Sequence, residues 1–331
     1  MDQNTINRAF EKFSSLNVLI IGDIMIDAYY WGKVNRISPE APVPIIEVEK
    51  NESRLGGAAN VALNVQSLGA NAILCAAIGQ DQNGDLMKQL IAKHQLSHEG
   101  ILQDAQRKTT IKTRIISQHQ HMMRIDEEET NALSNELSQL LFQRIEQIVE
   151  KRKIDVIIFE DYDKGVITSS LIHKVVELAK KHSIPTAVDP KKRNFLAYSG
   201  VTLFKPNLKE LREGLNLSIE KGNLKDIEFA LEELSKFIDY DAALITLSEH
   251  GVYMASRVKT KLVPAHIRDI SDVSGAGDTV IAVASLCLAL GLEFEDIAEL
   301  SNLAGGLVCE KVGVVPIQKD LLRSEALRLS K

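Results

Sequence analysis

The 331-residue chain is 45% hydrophobic and 25% charged, apolar enough to bury a large core, and its formal net charge of -6 leaves no overall basic field to hold nucleic acid or an anionic membrane. Its three cysteines, Cys75, Cys287 and Cys309, stand far apart in apolar runs without a CxxC pair, which argues against a disulfide framework or zinc site and fits a reducing cytoplasm. No stretch has the character of a signal sequence or the roughly 18 apolar residues of a membrane span, so secretion and membrane insertion are not expected.

The first strand is Val18 to Ile21, a continuous apolar run ending at Gly22-Asp23, as expected of a strand buried on both faces. Asp23 and Asp27 follow at its carboxyl end, where open parallel sheets bind ligands; they suit hydroxyl binding, or stand as solvated loop acids. Tyr29 to Val34, Val43 to Val48, Thr109 to Ile116 and His121 to Ile125 are strand-like without intervening helices and predict a small accessory sheet. Pro39, Pro42 and Pro44 keep the segment between the first two extended and bar it from a central strand. Gly56-Gly57-Ala58-Ala59-Asn60 opens a helix over 58–68. Ala72 to Ile78, Asp155 to Phe159, Pro185 to Val188, Val201 to Phe204 and Ala242 to Thr246 read as further buried strands, mostly separated by helical patterns. That alternation predicts an α/β fold with a mostly parallel sheet between helices. The C-terminal third is helical at Asp278 to Leu290 and Asp296 to Val308. Without a repeat, a low-complexity tract or a Gly/Ser linker, residues 1–331 read as one domain, with the accessory strands inserted at about 28–50 and 108–126. His119 and His121 could share a strand face, but no third ligand lies near them in sequence, so no metal site is expected there. The acids Asp126 to Glu129 read as a solvated surface.

The most informative stretch is Asp272-Val273-Ser274-Gly275-Ala276-Gly277-Asp278-Thr279, which runs from a strand region straight into an apolar helix. A small-residue turn at a helix N-terminus leaves amides unpaired with the positive dipole end behind them, an anion hole for phosphate. A carboxylate at Asp278 repels that phosphate unless it takes a proton from an attacking hydroxyl; the alternative is a plain helix cap. The Gly56 to Asn60 turn also offers amides and close backbone approach, with Asn60 able to meet hydroxyls or to stand as a buried Asn. Asn207 and Glu210 lie three apart at a helix start, where hard oxygen donors suit Mg²⁺ through water and where the same spacing makes a capping box. Thr246, Ser248, Glu249 and Gly251 follow an apolar strand, either as small groups beside a nucleotide or as a hairpin turn. No GxxxxGK[ST] occurs, and neither Gly22 nor Gly275 begins a GxGxxG, so P-loop and standard dinucleotide-binding designs are excluded.

With these motifs in this order, residues 16 to 316 resemble the ribokinase-like (PfkB) carbohydrate kinases. The likeness rests on Gly275-Ala276-Gly277-Asp278, Gly56 to Asn60, and Asn207 with Glu210. Within that family the chain is most similar to the heptose 7-phosphate kinases, through Arg36 to Pro44, Gly57 to Ala62, Asp189-Pro190-Lys191 and Asp272 to Val280. The resemblance implies a ribokinase-like three-layer α/β/α sandwich with a small β-sheet lid that builds a homodimer. It implies phosphorylation of D-glycero-D-manno-heptose 7-phosphate by ATP at the anomeric hydroxyl, toward ADP-heptose for lipopolysaccharide. Asp278 would be the catalytic base, and Gly275, Ala276 and Gly277 the anion hole. Asn207 and Glu210 would hold Mg²⁺ through water, and with Thr246, Ser248, Glu249 and Gly251 they would line the ATP site. Asp23, Asp27, Gly57, Asn60, Arg124 and Lys191 would hold the sugar phosphate, with Arg36, Arg114 and Lys164 as further partners for its phosphate. Val273, Leu55 and Asp163 replace the Thr, Pro and Gly usual at those places, departures that bear on substrate positioning. The chain is too short for the nucleotidyltransferase domain to which many heptose kinases are fused. Another sugar or nucleoside kinase of the family, or a non-catalytic sugar or nucleotide sensor, are the alternatives; a sensor would be expected to lack Asp278 or Glu210.

Overall fold

The computed structural model describes residues 1–118, 120–266 and 268–330. Helix α1 (Gln3–Lys12) precedes β1 (Asn17–Gly22), whose side chains alternate between two cores: Val18 and Ile20 pack on one face, Leu19 and Ile21 on the other. Two long strands follow, β2 (Ile24–Ile37) and β3 (Pro44–Gly57), then α2 (Ala58–Ser67), β4 (Asn71–Gly79), α3 (Gln82–Lys93) and β5 (Ser97–Asp104). Strands β6 (Ile111–Ser117) and β7 (Gln120–Glu127) lead to α4 (Asn135–Lys151), β8 (Val156–Glu160), α5 (Ser169–Lys181), β9 (Thr186–Asp189) and β10 (Val201–Phe204). Helices α6 (Leu208–Leu215) and α7 (Leu224–Ser235) precede β11 (Tyr240–Thr246), β12 (Val252–Ser256) and β13 (Thr260–Val263), and α8 (Ala276–Ala289), α9 (Phe294–Val308) and α10 (Lys319–Leu329) complete the chain.

Among the described residues the main sheet has nine strands in the order β13-β12-β11-β10-β9-β8-β1-β4-β5. All neighbours pair in parallel except β11 with β12 and β12 with β13. Helices α1, α2, α3, α8, α9 and α10 close one core and α4 to α7 the other, giving the expected three layers. The antiparallel β12-β13 extension and the edge strand β5 had no clear sequence signal, because both are short or polar and only partly buried.

The accessory strands form a separate four-stranded sheet, β3-β2-β6-β7, in which β2 runs antiparallel to β3 and parallel to β6. These strands are longer than their apolar segments suggest: β2 starts in the main core with Ile24, Ile26 and Ala28 buried, then projects outward. The inner face of this sheet meets the body, where the Tyr29 hydroxyl accepts from the Val314 amide at 3.2 Å and Arg54 donates to the Val314 carbonyl at 3.2 Å. Its other face leaves Tyr30, Val48, Met123 and Ile125 exposed. His121 stands exposed on β7, and His119 lies outside the described residues. Asp126 and Glu128, read as merely solvated, share the Lys112 ammonium at 2.9 Å each. Among the described residues no helix is long and apolar enough to cross a membrane.

Candidate active site

The glycine-rich turn opens α8. Gly275 takes φ +80°, a left-handed conformation that costs a residue with a Cβ about 1–2 kcal/mol. Ser274 to Gly277 are all partly exposed, so the turn is not packed shut. Among the described residues the amides of Gly275, Gly277 and Asp278 donate to no acceptor, whereas the Ala276 amide turns back to the Val273 carbonyl at 3.3 Å. Of the three expected donors, Gly275 and Gly277 keep unengaged amides and Ala276 is engaged within the turn, and the Asp278 amide is unengaged as well.

Asp278 is the third residue of α8, but its carboxylate does not cap the helix. Oδ2 accepts from Asn60 Nδ2 at 2.7 Å and Oδ1 from the Tyr162 hydroxyl at 2.7 Å. Burial pushes its pKa up, and these two donors pull it partway back. Asn60 arrives from the first turn of α2, where Gly57 at φ +59° allows the chain within reach of the Asp23 carbonyl; a Cβ there would stand 2.4 Å from that oxygen. Asn64, one turn further, accepts from the Thr279 hydroxyl and the Ile317 amide at 3.0 Å each, so α2 and α8 are pinned together behind the site.

Beside the turn lie the carboxyl ends of the central strands. Gly22, Glu160 and Asp189 are register partners on β1, β8 and β9. Buried Lys205 directly follows β10 and pairs with Asp189 at 2.8 Å. Lys191 sits 3.4 Å from Asp189, also contacts Glu210, and lies over the Tyr162 ring at 5.1 Å. Burial alone would raise the Asp189 pKa, but Lys191 and Lys205 outweigh it and hold the carboxyl down. A Cβ on Gly277 would come 3.5 Å from Asp189 Oδ2 and 3.9 Å from Lys205 Nζ, which places both beside that residue.

Asn207 and Glu210 form the capping box of α6: the Asn207 side chain accepts from the Glu210 amide at 2.9 Å, and Glu210 accepts from the Asn207 amide at 2.8 Å. Burial and Asp189 push the Glu210 pKa up against the pull of Lys191 and Lys205. Asn207 bridges to Thr246 at the end of β11. The segment after Thr246 is a hairpin turn into β12, with Gly251 at φ +88° donating to the Ser248 carbonyl at 3.0 Å. Ser248 is exposed in it, and exposed Glu249 pairs with Lys221 at 2.6 Å. Contacts thus run continuously from the α8 turn through Asp189, Lys191 and Glu210 to Asn207 and Thr246.

Several of the expected sugar contacts also have partners within the protein. Asp23 is buried, and its carboxylate accepts from the amides of Tyr162, Lys164 and Val166 at 2.9, 3.1 and 3.0 Å. It therefore clamps the 161–166 loop, and that role stands beside the expected sugar contact. Asp27 is held by Arg114 across the lid. Arg124, opposite Arg114 on β7, is half-exposed and donates to Asp126 at 2.9 Å. Lys164 pairs with Glu128 at 2.8 Å.

Tyr162, Lys205 and Glu160 were not singled out from the sequence as site residues, yet the fold brings them around Asp278 and Asp189. The available signal was Glu160-Asp161-Tyr162-Asp163, a cluster of acids at the carboxyl end of an apolar strand, and a lysine directly after Val201 to Phe204.

The family profile described as pfkB family carbohydrate kinase matches residues 15–320. The chain belongs to the pfkB family of carbohydrate kinases. Among curated relatives, it is 37% identical over 314 residues to the bifunctional protein HldE of Pelobacter propionicus, covering 95% of this chain and 64% of that protein. It is 38% identical over 317 residues to HldE of Magnetococcus marinus, covering 95% and 65%. This pfkB chain therefore spans slightly less than two-thirds of those relatives' length. Among solved structures, phosphofructokinase-2 of Escherichia coli in complex with substrates and products aligns at TM-score 0.77 and 18% identity, over 96% of this chain and 99% of that one. Arabidopsis thaliana ribokinase complexed with ribose and ATP aligns at TM-score 0.72 and 16% identity, over 95% and 99%. These two likenesses establish the ribokinase-like fold of this pfkB kinase.

Proposed function

We propose that this carbohydrate kinase transfers the γ-phosphoryl group of ATP to the anomeric hydroxyl of D-glycero-D-manno-heptose 7-phosphate. One observation carries the reading: a buried carboxylate, Asp278, shares its helix turn with amides that have no acceptor. The heptose assignment is supported by the Arg36 to Pro44 and Asp189-Pro190-Lys191 segments and by the extended similarity to proteins named HldE.

Phosphoryl transfer passes through a loose transition state, so alignment and charge stabilisation matter more than a strong base. Asp278 takes the hydroxyl proton late, oriented by Asn60 and Tyr162. The amides of Gly275, Gly277 and Asp278 meet the phosphoryl oxygens, and Lys205 and Lys191 add positive charge on the Gly277 side. Asn207 and Glu210 present hard oxygens of the kind Mg²⁺ takes, and because both are committed to the capping box and Lys191, they fit an ion held through water. Mg²⁺ bound there would neutralise phosphate charge. Thr246, Ser248 and Gly251 would border the nucleotide; Glu249, paired with Lys221, would lie at its edge. Asp27, Arg114 and Arg124 on the inner lid face would meet the sugar phosphate, and the exposed Tyr30, Val48, Met123 and Ile125 of the other face suit a homodimer formed lid to lid. Residues 1–331 would work as one kinase domain in the cytoplasm.

The test is ATP consumption against a panel of sugars, sugar phosphates and nucleosides. Heptose 7-phosphate should give the highest kcat/KM; an unphosphorylated sugar or a nucleoside used equally well would redirect the assignment within the family, and no turnover with any acceptor would favour a sensor.

A further inference from the structure

Glu160 ends the central strand β8, and its side chain has no access to solvent. Among the described residues neither carboxylate oxygen has a hydrogen-bond partner. Its register partner on β9 is Asp189, so the two carboxyl groups leave adjacent parallel strands on the same face, roughly 5 Å apart by strand spacing. The charged groups around Glu160 are Asp189 from β9, Asp278 from α8, Lys191 from the loop after β9 and Lys205 directly after β10. The two lysines are already committed: Lys205 pairs with Asp189, and Lys191 bridges Asp189 and Glu210. Asp278 has Asn60 and Tyr162 as donors. Glu160 alone has none.

An ionised carboxylate in that position would be buried without a donor and flanked by two other carboxylates, the costliest arrangement for a charge. We propose that Glu160 is a positioning residue that carries a proton in the working enzyme, so that the Glu160–Asp189 pair holds one negative charge instead of two beside the α8 turn. Burial and the neighbouring acids Asp189 and Asp278 act in the same direction, raising its affinity for the proton far above that of a free glutamate. Resting on the kinase reading, the consequence is that a neutral Glu160 lets a polyphosphate approach Gly277, and an ionised one repels it.

The test compares the native enzyme with Glu160→Gln and Glu160→Met over a range of pH. In the unfolded chain Glu160 ionises above about pH 4.3, whereas in the fold it stays neutral to much higher pH. Native stability is therefore lost as pH rises through that interval, and neither variant shares the loss. Both variants should melt at or above the native temperature at neutral pH, with a gap that closes near pH 4 and widens on going alkaline. In kinetics, KM for ATP of the native enzyme should rise roughly tenfold as Glu160 ionises, the scale of one added like charge in a partly screened site, and Glu160→Gln should abolish that rise. The melting comparison needs no turnover, so it separates failure of this inference from failure of the kinase assignment. Loss of folding in both variants, lower stability at neutral pH, or a higher magnesium requirement in Glu160→Gln would each overturn the inference.

Discussion

The Tyr162 hydroxyl donates to Asp278 Oδ1 at 2.7 Å across 116 residues of sequence, tying the loop after β8 to the first turn of α8. A donor to a carboxylate favours its charged form, so this bond lowers the Asp278 pKa against the upward push of burial. If the ionised carboxylate takes the proton, turnover falls as pH drops through that pKa. In Tyr162→Phe the limb should move to higher pH by about one unit, equivalent to about 1.4 kcal/mol, with a smaller loss at the alkaline plateau. A pH–rate profile superimposable on the native one would remove Tyr162 from the account.

The two glycines of the α8 turn should respond differently to alanine. Gly275→Ala introduces a Cβ at φ +80° and 3.0 Å from Asn60 Nδ2, which pushes on the donor that holds Asp278. It should destabilise by about 1–2 kcal/mol and lower kcat. Gly277→Ala meets only Asp189 Oδ2 at 3.5 Å and Lys205 Nζ at 3.9 Å and replaces a helical glycine. Stability should hold or rise by up to about 1 kcal/mol while KM for ATP increases. Denaturation curves paired with steady-state kinetics check both.

Asp23→Ala separates a clamp from a substrate contact. Its carboxylate satisfies three loop amides, and leaving them unpaired in the interior should cost about 3 kcal/mol or more in urea unfolding. A variant of native stability with a raised KM for the sugar would favour the direct-contact reading.

What could be read from the sequence was what is local. The strands β1 and β8 carry continuous apolar runs because both of their faces are buried, and the α8 turn announces itself through Gly275 and Gly277 directly before an acid and an apolar helix. The destination of a side chain was not legible. Asp23 and Asp27 stand four apart just after β1, yet one turns to loop amides and the other, inside β2, to Arg114 in the lid. The Asn60 to Asp278 bond spans 218 residues, and nothing near either residue names its partner. Lys205 and Asp189 meet only because β9 and β10 are sheet neighbours, so their pairing follows from strand order rather than from local pattern.

The central claim is that Asp278 takes the acceptor's proton, and turnover of Asp278→Asn measured together with ATP affinity and thermal stability tests it most directly. The account predicts kcat reduced by about 10²-fold or more, with ATP binding and melting temperature close to native. Near-native turnover in that variant would contradict it.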